Sequence, residues 1–203
     1  MATAPALAAT RRWSTLLLLP VFLLLASCGI NTIPTLEERT NAAWSEVLNQ
    51  YQRRADLVPN LVETVKGYAT HEREVLEAVT EARSRVGQMQ LPADITENPE
   101  LFQQFQENQQ ALTGALSRLI AVAEAYPDLK ANQNFLALQS QLEGTENRIA
   151  VARRDYIEAV RQYNTELRTI PGRWWAALLY PDAKPKQNFT VAEGTEAAPK
   201  VTF

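Results

Sequence analysis

Apolar residues recur every three or four positions through most of this chain, and that spacing predicts helices. The clearest stretch runs from Phe135 to Ile170, where inward positions follow a seven-residue repeat that no proline interrupts before Pro171. Such a repeat packs a long helix against other helices at a shallow angle. At about 1.5 Å per residue, this stretch would extend for roughly 55 Å.

Three other helices are predicted before it. The first runs from Leu36 to Lys66, with Thr35 and Glu38 forming a capping box at its start. Pro59 lies inside this stretch, and we interpret it as a kink rather than an end, because no glycine or polar turn surrounds it. A carbonyl that proline leaves without its helical donor would be satisfied by polar groups nearby.

The second helix is predicted from His71 to Gly87 with Thr70 as its N-cap, and residues 87–97 form a loop. The third is predicted from Pro99 to Ala125, with Asn98 as its cap. Four amphipathic stretches joined by short loops predict an all-α protein. Its fold would be an antiparallel four-helix bundle over residues 36–170, with long first and fourth helices.

The N-terminus has the features of an export signal. Arg11 and Arg12 precede a short apolar run, which ends in Leu-Ala-Ser-Cys at Cys28. This ending resembles the bacterial lipobox, so residues 1–27 would be removed and Cys28 would carry palmitate-type acyl chains. The apolar run is shorter than the roughly 20 residues that a spanning helix needs. An ordinary signal with a chance cysteine, an uncleaved anchor and a twin-arginine signal are the alternatives.

Two further segments flank the predicted bundle. Residues 28–35 would be the lipidated cysteine and a linker, and residues 171–203 an aromatic segment followed by a mostly extended tail. An even number of alternating helices brings Trp174, Trp175 and Tyr180 to the end where Cys28 meets the membrane. These side chains would cap the bundle; the alternatives are contact with the membrane interface and contact with a protein partner.

Composition narrows the chemistry further. The formal net charge is -3 and basic residues are scattered, which disfavours nucleic-acid binding. One cysteine and one histidine allow no intramolecular disulfide, no di-iron site and no zinc-protease motif. No phosphate loop or dinucleotide fingerprint is present. We therefore expect no metal, no cofactor and no catalytic residues.

One polar constellation stands out around Pro59 and on the fourth helix. It would be a structural cluster or a binding site for a partner, because an inward ion pair or Asn in a bundle commonly fixes helix register. Its members are Arg54, Asp56, Asn60, Glu146, Asn147 and Arg153.

Three long motifs resemble the LemA family. They are RADLVPNLVETVKGYA at residues 54–69 with His71-Glu72 after it, YPDLKANQNF at residues 126–135, and LEGTENRIAVARRDY at residues 142–156 with Tyr163-Asn164 after it. The ending APKVTF at residues 198–203 is similar too. The resemblance covers residues 36–203 and implies a four-helix bundle outside the cytoplasmic membrane, with no established enzymatic activity.

The chain departs from the family in three features. Members usually have an N-terminal transmembrane helix where this chain has a lipobox, and typically an Asn where it has Ile157. The Trp174-Trp175 pair is also atypical.

We therefore predict a non-enzymatic lipoprotein of the bacterial cell envelope that acts as a scaffold or adaptor for other envelope proteins. Gly29 after Cys28 favours the outer membrane in species that have one. The alternatives are an enzyme or enzyme subunit with a carboxylate site that acts on envelope polymers or peptides, and a lipid-binding or membrane-remodelling protein.

Overall fold

The computed structural model describes residues 29–69 and 71–190. The predicted signal peptide (residues 1–27), Cys28, Thr70 and the ending at residues 198–203 lie outside the described residues. Within them all regular structure is helical and no strand occurs, so the predicted all-α class is confirmed. The helices are α1 (Thr32–Lys66), α2 (Arg73–Gln88), α3 (Pro99–Glu124), α4 (Pro127–Lys130), α5 (Gln133–Arg168) and α6 (Gly172–Leu179).

The start of α1 differs from the prediction. The helix begins at Thr32, so the capping box is wrong, and residues 32–35 of the expected linker are helical. The Thr35 hydroxyl donates instead to the carbonyl of Asn31 at 2.7 Å. Burial of Ile33, which is 1% exposed, favours this extra turn, and Pro34 is tolerated there because first-turn amides have no helical acceptor.

Pro59 does not end α1, so the expectation that the helix continues past this proline is confirmed. It lies on the exposed side, while Val58 and Leu61 are buried. The carbonyl that it deprives of a helical donor belongs to Ala55, and Arg83 of α2 donates its Nε–H to that oxygen at 3.2 Å. The polar compensation therefore comes from a neighbouring helix, and not from the side chains around Pro59.

The other helix ends are close to the predicted positions. Asn98 caps α3 by accepting from the backbone amides of Glu100 and Leu101. Asn132 caps α5 by accepting from the amide of Phe135. The start of α2 is two residues later than predicted, with Glu72 at the N-cap position. The one-turn helix α4 was not predicted, because four residues are too few to show a period.

Contacts between side chains show the direction of each helix. Arg39 bonds to Gln162 near the start of α1, and Tyr68 bonds to Asn132 just after its end, so α1 and α5 run antiparallel. The Tyr126 hydroxyl, just after the end of α3, donates to Glu72 at the start of α2. The Asn108 amide in α3 donates to the sulfur of Met89 at the end of α2, so α2 and α3 are antiparallel as well. Trp44 packs on Phe102 and Arg54 bonds to Thr113, so α1 and α3 run in the same direction.

Two clusters of buried side chains lie at opposite ends of these helices. The aliphatic core contains Val58, Leu61, Val65, Ala69, Val79, Ala82, Leu112, Ala115, Leu116, Leu119, Ala123, Leu129, Phe135 and Leu142. The aromatic core contains Trp44, Val47, Tyr51, Ile95, Phe102, Phe105, Ile149, Ala152, Tyr156 and Val160, with Phe189 packed against it.

Candidate functional site

Arg54 is the hub of the most polar part of the interior. Its side chain is 1% exposed and connects three helices. One terminal nitrogen donates to the Thr113 hydroxyl at 2.7 Å and to Glu146 Oε1 at 3.0 Å. The other donates to Gln109 Oε1 at 2.6 Å and to the Gln109 carbonyl at 3.2 Å. Four charge-assisted bonds therefore compensate most of the cost of burying this guanidinium.

The structure brings together only part of the predicted polar constellation. Arg54 pairs with Glu146. Arg153 lies about two turns further along the same side of α5, and its guanidinium is 4.4 Å from the centre of the Phe189 ring. Asp56, Asn60 and Asn147 are exposed, and Asp56 accepts a bond from Gln52 on its own helix. The last three residues lie on the outer sides of α1 and α5, away from Arg54.

Two of the partners of Arg54, Gln109 and Thr113, were not predicted from the sequence. Gln109 was detectable, because it follows Phe105 by four positions and precedes Leu112 by three, which puts an amide on the apolar stripe of α3. It is buried, with 6% of its surface exposed. Thr113 carried no comparable signal, since it follows Leu112 just beyond the stripe.

A groove of about 830 Å³ lies over this hub. Its floor includes Tyr51 and Arg54 of α1, and its opposing walls are α3 and α5. A smaller cavity of about 340 Å³ lies between the same two walls and shares Thr113 and Glu146 with the groove. The two spaces are therefore neighbours along the gap between α3 and α5.

An extended segment, residues 183–190, occupies the other end of this gap; we call it the strap. Its extended form agrees with the predicted C-terminal tail, but it packs on the helices instead of leaving them. The Asn164 side chain donates to the backbone carbonyl of Lys186 and accepts from its amide, at 2.9 Å each. The Tyr156 hydroxyl donates to the carbonyl of Gln187 at 2.8 Å, and the amide of Thr190 donates to Gln106.

Two side chains of the strap enter the helical body. Phe189 packs against Phe102 and Tyr156, with ring centres 5.1 and 5.6 Å away. The ammonium of Lys186 lies 2.7 Å from a Glu97 carboxylate oxygen and 3.2 Å from one of Glu37, and its side chain is 5% exposed. The strap therefore joins α1, α5 and the loop before α3. Neither Lys186 nor Phe189 was predicted as a packing residue, because a tail of mixed composition has no hydrophobic period.

The aromatic segment is divided between packing and exposure. Tyr180 donates its hydroxyl to the carbonyl of Ile30 at 3.1 Å, and Trp175 lies half-buried beside Gly29. Trp174 is 61% exposed and Leu178 72%, and Ile170 is exposed beside them in sequence. One side of α6 thus covers the start of α1, and the other side presents apolar surface, which we call the α6 face (Ile170, Trp174 and Leu178).

Burial dominates the electrostatics of the tyrosines in the aromatic region. It raises the pKa of the Tyr51, Tyr156 and Tyr163 phenols, because the phenolate would lose its hydration. The carboxylates of Glu37 and Glu97 raise the pKa of Tyr163 further. These hydroxyls stay protonated at neutral pH and act as hydrogen-bond donors or packing surfaces.

Neither a metal site nor a membrane span is seen in the described ranges. No cluster of three or more His, Cys, Asp or Glu side chains there could hold a metal ion. Over residues 29–69 and 71–190, no helix is both long and apolar enough to cross a membrane.

An all-helical protein with a polar groove over a buried arginine is the class that these features define. The chain belongs to the LemA family, whose sequence model matches residues 43–203. The family resemblance drawn from the motifs is therefore confirmed.

Curated relatives are similar over part of their length. Magnetosome proteins MamQ 1 and MamQ 2 of Paramagnetospirillum magneticum are each 29% identical to this chain over 162 residues, covering 72% of it and 60% of the relative. Protein LemA of Metamycoplasma hominis is 29% identical over 118 residues, covering 58% of this chain and 49% of the relative. The matched regions thus span about half to three fifths of these relatives.

Proposed function

We propose that this chain is a non-enzymatic scaffold or adaptor of the bacterial cell envelope, held at a membrane by acyl chains on Cys28. Its partners would be other envelope proteins. In this proposal the helices α1, α2, α3 and α5 act as one antiparallel four-helix bundle, a stiff body that projects from the membrane. In two-membrane bacteria the outer membrane is the favoured location.

The observation that supports the tether most directly is the position of Gly29. The described chain starts beside α6, where Gly29 lies next to Trp175 and Pro171 and Tyr180 bonds to Ile30. The residue before Gly29 is the predicted lipidation site. A lipid at that position would hold the α6 face, with Trp174 and Leu178, close to the bilayer surface, where tryptophan is favoured.

The tether is tested by metabolic labelling with a palmitate analogue. We expect the native chain to be labelled and membrane-bound, and the Cys28→Ala chain to be unlabelled, since a thioether-linked lipid requires that thiol. Circular dichroism of the variant should show unchanged helix content. Labelling that persists in Cys28→Ala would refute the assignment.

The adaptor role is tested by chemical crosslinking in intact cells, followed by mass spectrometry. We expect specific envelope proteins to crosslink to the native chain and to be lost from the Cys28→Ala chain, because the untethered chain leaves the membrane. Recovery of the native chain only as a free monomer, under all crosslinking conditions, would contradict the role.

A second candidate function is direct lipid binding, and the exposed α6 face favours it. Arg168 and Arg173 are exposed next to this face and would attract anionic headgroups. The test is binding of the unlipidated chain to vesicles of anionic phospholipid. Trp174→Ala should weaken binding, whereas Leu136→Ala, an exposed apolar residue near the start of α5, should not. Equal binding of all three chains would remove this candidate.

The enzyme alternative receives less support from the groove. A carboxylate acid–base pair needs two facing acids whose environments push their proton affinities apart. In the groove, Glu146 is hydrogen-bonded to the buried Arg54 guanidinium at 3.0 Å, so this carboxylate is engaged in a pairing between helices.

A further inference from the structure

The helical body holds the strap in the way that a protein holds a separate peptide. Residues 183–190 form no helix or strand, and the groups that bind them come from α1, α3, α5 and the loop before α3. Two kinds of contact are made: hydrogen bonds to the backbone of the strap, and pockets for two of its side chains. Peptide-recognition sites divide their contacts in this way, because backbone bonds accept any sequence and pockets select among sequences.

The backbone bonds concentrate on two consecutive residues of the strap. The side-chain amide of Asn164 donates to the carbonyl of Lys186 and accepts from its amide. The amide of Gln187 donates to the Thr96 carbonyl at 2.6 Å, and the carbonyl of Gln187 accepts from the Tyr156 hydroxyl. All four backbone polar groups of this pair are therefore bonded, and none of these bonds requires a particular side chain on the strap.

The first pocket holds a cation. The ammonium of Lys186 lies between the carboxylates of Glu97 and Glu37, and 5.9 Å from the centre of the Tyr163 ring. Two carboxylates and a ring face attract a cation together, through charge-assisted hydrogen bonds and a cation–π contact. An uncharged side chain would leave both carboxylates without a counter-charge. This pocket therefore selects a lysine or an arginine.

The second pocket holds an aromatic ring. Phe189 lies against Trp44, Phe102 and Tyr156, with ring centres 5.1 to 6.2 Å away. The guanidinium of Arg153 lies 4.4 Å from the centre of the same ring. Aromatic pairs and a cation over a ring favour a phenylalanine, tyrosine or tryptophan over an aliphatic side chain of similar area.

The connection between α6 and the strap disfavours exchange of straps between two copies. Tyr180 is bonded to Ile30 beside the start of α1, and the strap begins three residues later. The six residue steps from Tyr180 to Lys186 extend for at most about 21 Å, which keeps the strap close to its own helical body. A strap on such a short connection has a high effective concentration at its own site. A competitor would need a high local concentration too, as a protein confined to the same membrane has.

We propose that the surface under the strap is a docking site for an extended segment of another envelope protein, in which a lysine or arginine is followed three residues later by an aromatic residue. The strap occupies this site within the chain and competes with the partner. The proposal rests on the adaptor role only for the partner being an envelope protein.

The test uses the purified full chain and a fluorescent peptide with the sequence of residues 183–190, AKPKQNFT. Lys186→Ala weakens the strap, so this chain should bind the peptide at least about tenfold more tightly than the native chain does. Adding Glu97→Gln should abolish that gain, because the cation pocket loses a carboxylate. Asn188→Ala, at an exposed position of the strap, is the matched control and should bind as the native chain does. Circular dichroism confirms that each chain is folded.

Changes in the peptide test the two pockets separately. Alanine at the position of Lys186 or of Phe189 should weaken binding by at least about tenfold, whereas alanine at the position of Asn188 should change it little. In the native chain, millimolar peptide should speed hydrogen exchange of residues 183–190 and leave α2 unchanged.

Three results would overturn the proposal: no binding to the Lys186→Ala chain, equal binding of the altered peptides, or unchanged exchange of the strap. A dimer of the native chain that is lost in Phe189→Ala would assign the site to a second copy and overturn the choice of partner. Failure here would leave the adaptor role standing, because crosslinking in cells tests that role separately.

Discussion

The aliphatic and aromatic cores are closed in different ways. In the aliphatic core, Leu112, Leu119 and Leu129 are fully buried by neighbouring helices alone. In the aromatic core, the strap supplies Phe189 as a further ring against side chains of α1, α3 and α5. Phe189 adds apolar surface that the helices around the aromatic core do not themselves supply, and its burial there stabilises the packing of the strap. The strap is therefore part of the aromatic core and does not contribute to the aliphatic core.

The largest test of this difference is Leu119→Ala in the aliphatic core. Removing a fully buried leucine should lower the free energy of unfolding by about 4 kcal/mol, because a cavity remains where helices cannot close in. Chemical denaturation measures the loss, and hydrogen exchange of residues 183–190 should change only as much as global stability does. Leu136→Ala, exposed on α5, should cost less than about 0.5 kcal/mol. Selective release of the strap would contradict the separation of the two cores.

Arg54→Ala tests the polar layer between the cores. We expect a loss of about 3 kcal/mol, because Gln109 and Thr113 lose a buried donor and Glu146 loses its ion-pair partner. The side chain of Glu146 is 39% exposed, so water limits this cost. Arg53→Ala, at the exposed neighbouring position, is the control and should be close to neutral. A neutral Arg54→Ala would mean that the hub contributes nothing to stability.

Phe189→Ala removes the contribution of the strap to the aromatic core. The ring is only half-buried, so the expected loss is about 2 kcal/mol, below the usual cost for a core phenylalanine. Hydrogen exchange should speed up in residues 183–190 while the amides of α2 stay protected. Asn188→Ala, the exposed neighbour, provides the matched control. Uniform loss of protection in both cores would show that the strap is not an independent unit.

The smallest effect concerns the buried phenols. Tyr156→Phe should cost about 1 kcal/mol, since it deletes the bond to the Gln187 carbonyl. Burial raises the folded-state pKa of Tyr156 above its ordinary value of 10.0. The stabilisation is therefore complete below that pH and is lost as pH rises above it. Denaturation midpoints across alkaline pH should fall less steeply in the variant; identical slopes would contradict this origin.

The sequence was sufficient to predict helices and their ends where the signal is a hydrophobic period or a capping residue within a few positions. The inward positions Thr145 and Ala159 of the seven-residue repeat are buried, and Asn98 caps α3 as its spacing predicts. It was not sufficient where contacts between residues far apart in the chain determine the local structure. The extra turn of α1 depends on burial of Ile33, and the compensation of Pro59 depends on Arg83, which is 28 residues away from Ala55.

The candidate site shows the same division. The sequence placed six polar residues in one cluster without deciding which of them pair. The structure pairs Arg54 with Glu146, whereas Asp56, Asn60 and Asn147 are exposed. Helical geometry rotates each residue by about 100°, so such neighbours face different directions.

By itself the sequence determined the all-helical class, the order of the long helices, most of their ends and the family. These follow from local propensity and from periodic burial, which act within a few turns. Only the tertiary structure decided that the segment after α6 returns to the helices as a strap. Lys186 forms ion pairs with Glu97 and Glu37, and Phe189 packs against Trp44. All three partners are far away in the chain. An extended segment has no period of its own, so its position depends entirely on the surface that receives it.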